Sequence, residues 1–148
     1  MAKDNICVFC GETIGFFNAY TIRCAGSKYP CCKNCANELQ EASEEELCRR
    51  ALRLGLVEPP ERLEERLVLL TESEDHRPAC LRCGAKLKFG CVQQLDNTPI
   101  RDGMFTETFD VQPAYCESCG KIEFYHPDYI ARNKYLAFLV EKDTDSNY

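Results

Sequence analysis

A small α+β protein dominated by metal chemistry is the fold class that the sequence predicts, and three observations predict it. Four C-x-x-C pairs stand in a chain of 148 residues that contains twelve cysteines. Strand-like alternation flanks the pairs, as in AKLKF and KIEFY, whereas the stretch between them, residues 37 to 77, has helical spacing. The charged fraction of 28% and apolar fraction of 45% belong to a folded chain, and the length leaves room for one ordinary domain or two small ones.

The cysteine content bears first on compartment. In a secreted chain it would point to a disulfide scaffold, so the start of the sequence has to be read for an export signal. MAKDNICVFCGE contains none, because Asp4 interrupts it and no apolar segment of the required length follows. No uninterrupted apolar run is long enough to cross a bilayer either. The expectation is a cytoplasmic protein without a membrane partner, whose clustered cysteines hold metal rather than form disulfides.

The pairs are Cys7/Cys10, Cys32/Cys35, Cys80/Cys83 and Cys116/Cys119. This spacing makes a tight turn that aims two thiolates at one ion while backbone N–H groups beyond the first cysteine point at its sulfur. Gly11, Gly84 and Gly120 directly follow three of the pairs, where a residue with positive φ closes the turn at no steric cost. Zinc takes four ligands in a tetrahedron, so the pairs must meet in twos. In chain order, 21 residues separate the first two and 32 the last two, and each interval can hold a β-hairpin. The expected cofactors are two Zn²⁺ ions, one on Cys7, Cys10, Cys32 and Cys35 and one on Cys80, Cys83, Cys116 and Cys119. Iron in the same S₄ geometry is the rival metal, disfavoured because the aromatic core of such sites usually includes tryptophan and this chain has none. Four redox dithiols would each require a βαβ setting with a helix after the motif, and only Cys32/Cys35 runs into a helix-like segment.

The elements follow in order. Residues 1–36 form an N-terminal zinc-finger module, with a hairpin suggested by the apolar run Ile14 to Phe17 and by Tyr20 to Cys24, broken at AGSKYP. Residues 37–77 form a helical hairpin and linker. Ser43 and Glu46 make a capping box, Leu47, Ala51 and Leu54 recur at helical spacing, and Gly55 stops the helix. A second helix begins near Pro59-Pro60 and places Leu63, Leu67 and Leu70 on one face, after which TESEDHRP reads as linker. Residues 79–148 form a C-terminal zinc ribbon with a tail. AKLKFGCVQQL is a strand pair or one long strand, LDNTPIRDG a turn, FTETFDVQPAY the return strand and KIEFY a third strand. Lys86 and Lys88 take its solvent face, with Leu87, Phe89, Phe124 and Tyr125 packing along it. PDYIARNKYLAFLVEK packs on the ribbon as helix or strand, and DTDSNY is expected to fray. The whole is two four-cysteine zinc-ribbon or knuckle modules joined by a short helical hairpin.

Four cysteines lie outside the pairs. Cys31 adjoins Cys32 and could replace it as a ligand, although Cys32 keeps the C-x-x-C spacing. Cys24, Cys48 and Cys91 read as small buried hydrophobes. His76 and His126 are substitute ligands that eight well-spaced cysteines make unnecessary.

CVFCGETIGFF followed by CCKNCANEL resembles a zinc-finger domain of unknown function at the start of many small bacterial proteins. CLRCGAKLKFG through YCESCGKIEFY is similar to bacterial zinc-ribbon proteins often described as nucleic-acid-binding, and ALRLGLVEPPERLEERL resembles the short helical hairpin that accompanies such fingers. The chain as a whole thus resembles double zinc-ribbon proteins of bacteria. The resemblance implies zinc at the eight paired cysteines and implies no catalytic residue.

Charge speaks against nucleic acid as the partner. Residues 1–36 carry four basic and two acidic residues, residues 37–78 six and twelve, and residues 79–148 eight and ten. Two tetrathiolate zinc sites would take the net charge from −6 to about −10. Phosphate neutralisation needs clustered Lys and Arg, and Arg82, Lys86 and Lys88 are the one local candidate, with compensation of the thiolate charge as their plainer role. Four sulfurs close the zinc shell, and the sequence has neither a His-rich ligand set nor a phosphate-cradling glycine loop. The expectation is a non-enzymatic zinc-binding adaptor for protein interaction or regulation, with weak nucleic-acid binding and iron electron transfer as the alternatives.

Overall fold

The computed structural model describes residues 5–97 and 107–145, which form a small α+β protein with five helices and two sheets. It divides into two compact units, Met1–Thr71 and Glu72–Tyr148.

In the first unit, strands β1 (Tyr20–Cys24) and β2 (Ser27–Cys31) form an antiparallel hairpin in which Tyr20 faces Cys31 and Cys24 faces Ser27. The turn is only Ala25-Gly26, with φ of 49° and 71°. Positive φ at both central residues matches the right-handed twist of the two strands, and glycine takes it without cost whereas Ala25 does not. Ala25 is held there because its N–H donates to Glu44 Oε1 at 3.2 Å. The turn therefore lies earlier than AGSKYP suggests, and Ser27 to Pro30 are strand. The Ile14–Phe17 run is not a strand. Ile14 is buried, but Phe16 and Phe17 form an exposed edge-to-face pair with ring centroids 5.5 Å apart.

Three helices complete this unit: α1 (Lys33–Glu38), α2 (Glu44–Arg53) and α3 (Glu61–Glu72). Ser43 caps α2, its Oγ accepting from the N–H of Glu46 at 3.2 Å, while Glu44 to Glu46 in the first turn and Arg50 and Arg53 in the last complement the helix dipole. The carbonyl of Pro60 accepts from Leu63 and Glu64 and so opens α3. Leu63 is fully buried, and Leu67 and Leu70 pack on the same apolar cluster as Phe9, Ile14, Leu47 and Ala51. Glu44 takes both Nε and a terminal nitrogen of Arg66 at 3.0 Å, so one carboxylate joins the hairpin turn, α2 and α3.

In the second unit, the long strand β5 (Glu107–Tyr115) pairs antiparallel with β3 (Lys88–Phe89), β4 (Gln93–Asn97) and β6 (Ile122–Tyr125). Phe89 faces Ala114 and Gln93 faces Val111, and the Gly90 N–H still donates to Pro113. Two residues, Cys91 and Val92, thus oppose one, Gln112. AKLKFGCVQQL is one strand broken by a bulge. Gln112, buried, repairs the broken ladder by donating its side-chain amide to the Gly90 carbonyl. Cys91, expected to be buried, is exposed at the bulge. Of the turn expected at LDNTPIRDG, Leu95–Asn97 belong to β4 and the rest falls outside the described residues.

Leu87, Phe89 and Ala114 pack with Ile130, Leu136 and Leu139 from α4 (Pro127–Arg132) and α5 (Lys134–Asp145), so the tail is helical. Tyr125 joins this core, but Phe124 is 58% exposed: alternation along β6 puts it on the opposite face. Nor is TESEDHRP a mere linker. Ser73–His76 is a 3₁₀ turn with Ser73 buried, and the Arg77 side chain is 7% exposed. Arg77 uses all five donors, to both oxygens of Glu74, both of Asp143 and the carbonyl of Leu87, at 2.5–3.0 Å. Asp143 also accepts from the N–H of Phe89, so the last turn of α5, where DTDSNY was expected to fray, is fastened to β3.

Removing Arg77 takes away the guanidinium that offsets the charges of Glu74 and the buried Asp143. Arg77→Met is therefore expected to cost about 3–5 kcal/mol in denaturant unfolding. The N–H donors of Arg77, opposed by partial burial and assisted by Lys142, hold the Glu74 carboxyl at about 2 instead of its ordinary 4.5. A depressed acid contributes stability above its unfolded pKa and loses it as pH falls through the folded one. Glu74→Gln should accordingly be less stable than the parent at pH 7, with the difference shrinking between pH 4.5 and 2 in paired unfolding curves.

Candidate metal centres

Three of the four C-x-x-C turns share one backbone construction. The carbonyl of the first cysteine accepts from the N–H four residues on, Gly11, Gly84 or Gly120, at 2.8–2.9 Å. Its own N–H donates to the carbonyl five residues on, in Glu12, Ala85 or Lys121, at 2.7–2.9 Å. The glycines have φ of 81°, 75° and 70°, which explains their place in the sequence. Antiparallel pairing closes each turn from outside, through Ile6 with Thr13, Ala79 with Lys86 and Tyr115 with Ile122. The fourth turn opens a helix instead: Cys32 caps α1, its sulfur accepting from the Cys35 N–H at 3.5 Å.

These turns bring the eight cysteines together as two groups. The Sγ atoms of Cys7, Cys10, Cys32 and Cys35 lie within 4.8 Å of one another, as do those of Cys80, Cys83, Cys116 and Cys119. An ion about 2.3 Å from each of four sulfurs would set them about 3.8 Å apart in a tetrahedron. The observed Sγ···Sγ separations include 3.8 Å for Cys10 and Cys32, 3.6 Å for Cys80 and Cys119 and 3.4 Å for Cys83 and Cys116. Both groups could hold a metal ion. No protein-family model, curated protein or solved structure matches the chain.

Electrostatics divides each group. Burial would push the Cys7 thiol up, but the N–H groups of Cys32, Phe9 and Cys10 hold it at about 7, below its ordinary 9. The N–H groups of Arg82 and Cys83 bring Cys80 to about 7, and that of Cys119 lowers Cys116. Burial and the neighbouring Cys7 push Cys10 up to about 11, and burial likewise raises Cys35. Cys83, in spite of the Ala85 N–H, is pushed up to about 12 by Cys116. The turn donors thus support negative charge on some sulfurs, and the remaining protons must leave when a cation enters.

The other candidates fall outside the groups. Cys31 is buried, its thiol pushed up to about 11 by burial and by Cys7. His76 stacks on Tyr135 with ring centroids 3.9 Å apart, and His126 caps α4 by accepting from the Asp128 N–H at 3.2 Å. Cys24 and Cys48 are buried as expected but in contact with each other, which no local spacing signals.

Elemental analysis tests the grouping. Two ions per chain are expected for the parent, one for Cys32→Ser and one for Cys80→Ser, whereas Cys31→Ser should keep two. Loss of an ion from Cys31→Ser alone would transfer the ligand role to Cys31. Metal uptake at pH 7 should also release protons, measurable in a weakly buffered titration, and affinity should fall as the pH is lowered.

Proposed function

We propose that this protein is a non-enzymatic adaptor in which two structural zinc ions, each held by four cysteines, fix surfaces that bind another protein. One observation carries the reading. Phe16 and Phe17 are 93% and 94% exposed, six and seven positions after Cys10, on a loop whose neighbour Ile14 is anchored in the core. Two rigid aromatic rings in water are the kind of anchor that fills a pocket on a partner. Beside them a cleft of about 260 Å³, lined by Glu12, Asn18, Lys33 and Asn34 among others, offers hydrogen-bonding groups of both kinds.

Zinc is preferred to iron because the chain has no tryptophan for an aromatic iron-site core, and colour tests the choice: the loaded protein should be colourless. Four sulfurs close the coordination shell, so the ion keeps no position for substrate and the site is read as structural. For the nucleic-acid alternative, two of the three residues of the Arg82, Lys86 and Lys88 patch have internal partners. Lys86 donates to the Glu74 carbonyl at 2.8 Å, and Lys88 pairs with Glu117 at 2.9 Å.

Zinc-loaded protein and its Phe16→Ser, Phe17→Ser double variant, compared as baits, should differ: the parent retains a partner that the variant loses, with ion count and circular dichroism unchanged. Equal capture by both would overturn the reading. Duplex DNA at physiological salt should bind no tighter than about 10⁻⁴ M. Submicromolar, salt-sensitive binding that Lys86→Glu with Lys88→Glu abolishes would favour the nucleic-acid reading instead.

A further inference from the structure

Cys24 and Cys48 stand 24 positions apart and belong to neither metal centre, yet their sulfurs are 3.1 Å from each other. Cys24 closes β1 at the hairpin turn, and Cys48 lies on the buried face of α2. Both are essentially inaccessible, at 2% and 0% exposure. The surroundings hold the two elements in this relation independently of the sulfurs: Glu44, one turn before Cys48, fixes the N–H of Ala25, the residue after Cys24, and is itself held by Arg66. Among the described residues, no other pair of cysteines outside the metal groups is recorded in sulfur contact.

We infer that Cys24 and Cys48 form a reversible disulfide that ties the hairpin to helix α2 under peroxide-type oxidants, while the ligand cysteines stay on their ions. A disulfide requires sulfurs at about 2.05 Å, so each side chain has to move by roughly half an ångström, a shift within one rotamer well. The chemistry balances in two steps. One thiolate attacks a peroxide oxygen, the O–O bond breaks, and the departing hydroxide takes up that thiol's proton as water, leaving a sulfenic acid. The second sulfur then attacks the first, the S–O bond breaks as the S–S bond forms, and the hydroxide leaves with the second thiol proton as another water. Two thiols and one hydrogen peroxide thus give one disulfide and two waters, and a low-molecular-weight thiol reverses the change by exchange. Burial pushes both thiols up, so thiolate is scarce at neutral pH and the first attack is slow, and their 2% and 0% exposure admits only a small oxidant. The product encloses the segment from the hairpin turn to α2 in a covalent loop, so the first unit gains a fastening that does not depend on its metal centre.

The test uses the full chain loaded with zinc chloride and treated with stepwise hydrogen peroxide. At each step free thiols are alkylated, the digest is mapped by mass spectrometry and bound zinc is counted. The expected result is a Cys24–Cys48 linked peptide at doses that still leave both ions bound, reversed by dithiothreitol and accompanied by a rise of roughly 10 °C in the melting temperature of the first unit. Cys24→Ala and Cys48→Ala, each checked for an unchanged ion count, should show neither link nor rise. The inference is overturned if half the zinc is released while Cys24 and Cys48 are both still recovered alkylated. The link is read directly by mapping, so in a chain that takes up no zinc, which would count against the adaptor reading, a Cys24–Cys48 link would still support this inference and its absence would overturn it.

Discussion

Four sulfurs held within 4.8 Å of one another cannot all be thiolates without a shared cation, and the rest of this structure is arranged around that constraint. Backbone N–H groups of the turns lower Cys7, Cys80 and Cys116, while crowding raises Cys10, Cys35 and Cys83. Neither group can lose its protons without a counter-charge, and a divalent ion at tetrahedral distance would supply one. With an ion bound, affinity for metal and the integrity of each unit would be one thermodynamic quantity seen from two sides. The sulfurs also sit inside the apolar clusters, Cys7 and Cys35 with Phe9 and Ile14, and Cys80 and Cys116 with Leu87 and Phe89.

Small size makes this coupling consequential. A unit of about 70 residues buries too little apolar surface to be comfortably stable by core packing alone, and each unit adds its own polar fastening. In the first, Glu44 joins a strained turn at Ala25 to Arg66. In the second, Arg77 spends every donor on Glu74, Asp143 and the Leu87 carbonyl. A partly buried guanidinium with all its donors satisfied specifies one register for the last helix against β3, whereas one missing partner would leave a charge without compensation.

The same economy bears on the surface. Lys86 and Lys88 alternate with Leu87 and Phe89 as a half-buried strand requires, yet each reaches a partner within its own unit. Basic side chains used in this way hold the fold and contribute less to any field seen by a polyanion. Phe16 and Phe17 have no such internal use. They remain in water on a loop whose neighbour Ile14 is anchored in the core.

What the sequence determined by itself was local. The C-x-x-C turns, the glycines that close three of them, the Ser43 cap and the Leu63, Leu67 and Leu70 stripe depend on residues within one turn of each other, so spacing and residue type suffice to read them. Tertiary structure decided whatever depends on which partner is present. AGSKYP offers several turn signals, and only pairing with Tyr20–Cys24 selects Ala25-Gly26. KIEFY has apolar residues on both faces, and packing against the cluster of Ile130 and Leu139 half-buries Tyr125 while leaving Phe124 in water. The linker-like TESEDHRP became structural because Asp143, 66 positions away, came to Arg77. Cys24 and Cys48 met for the same reason: a hairpin turn and a helix face share no periodicity, and no pattern along the chain records their contact.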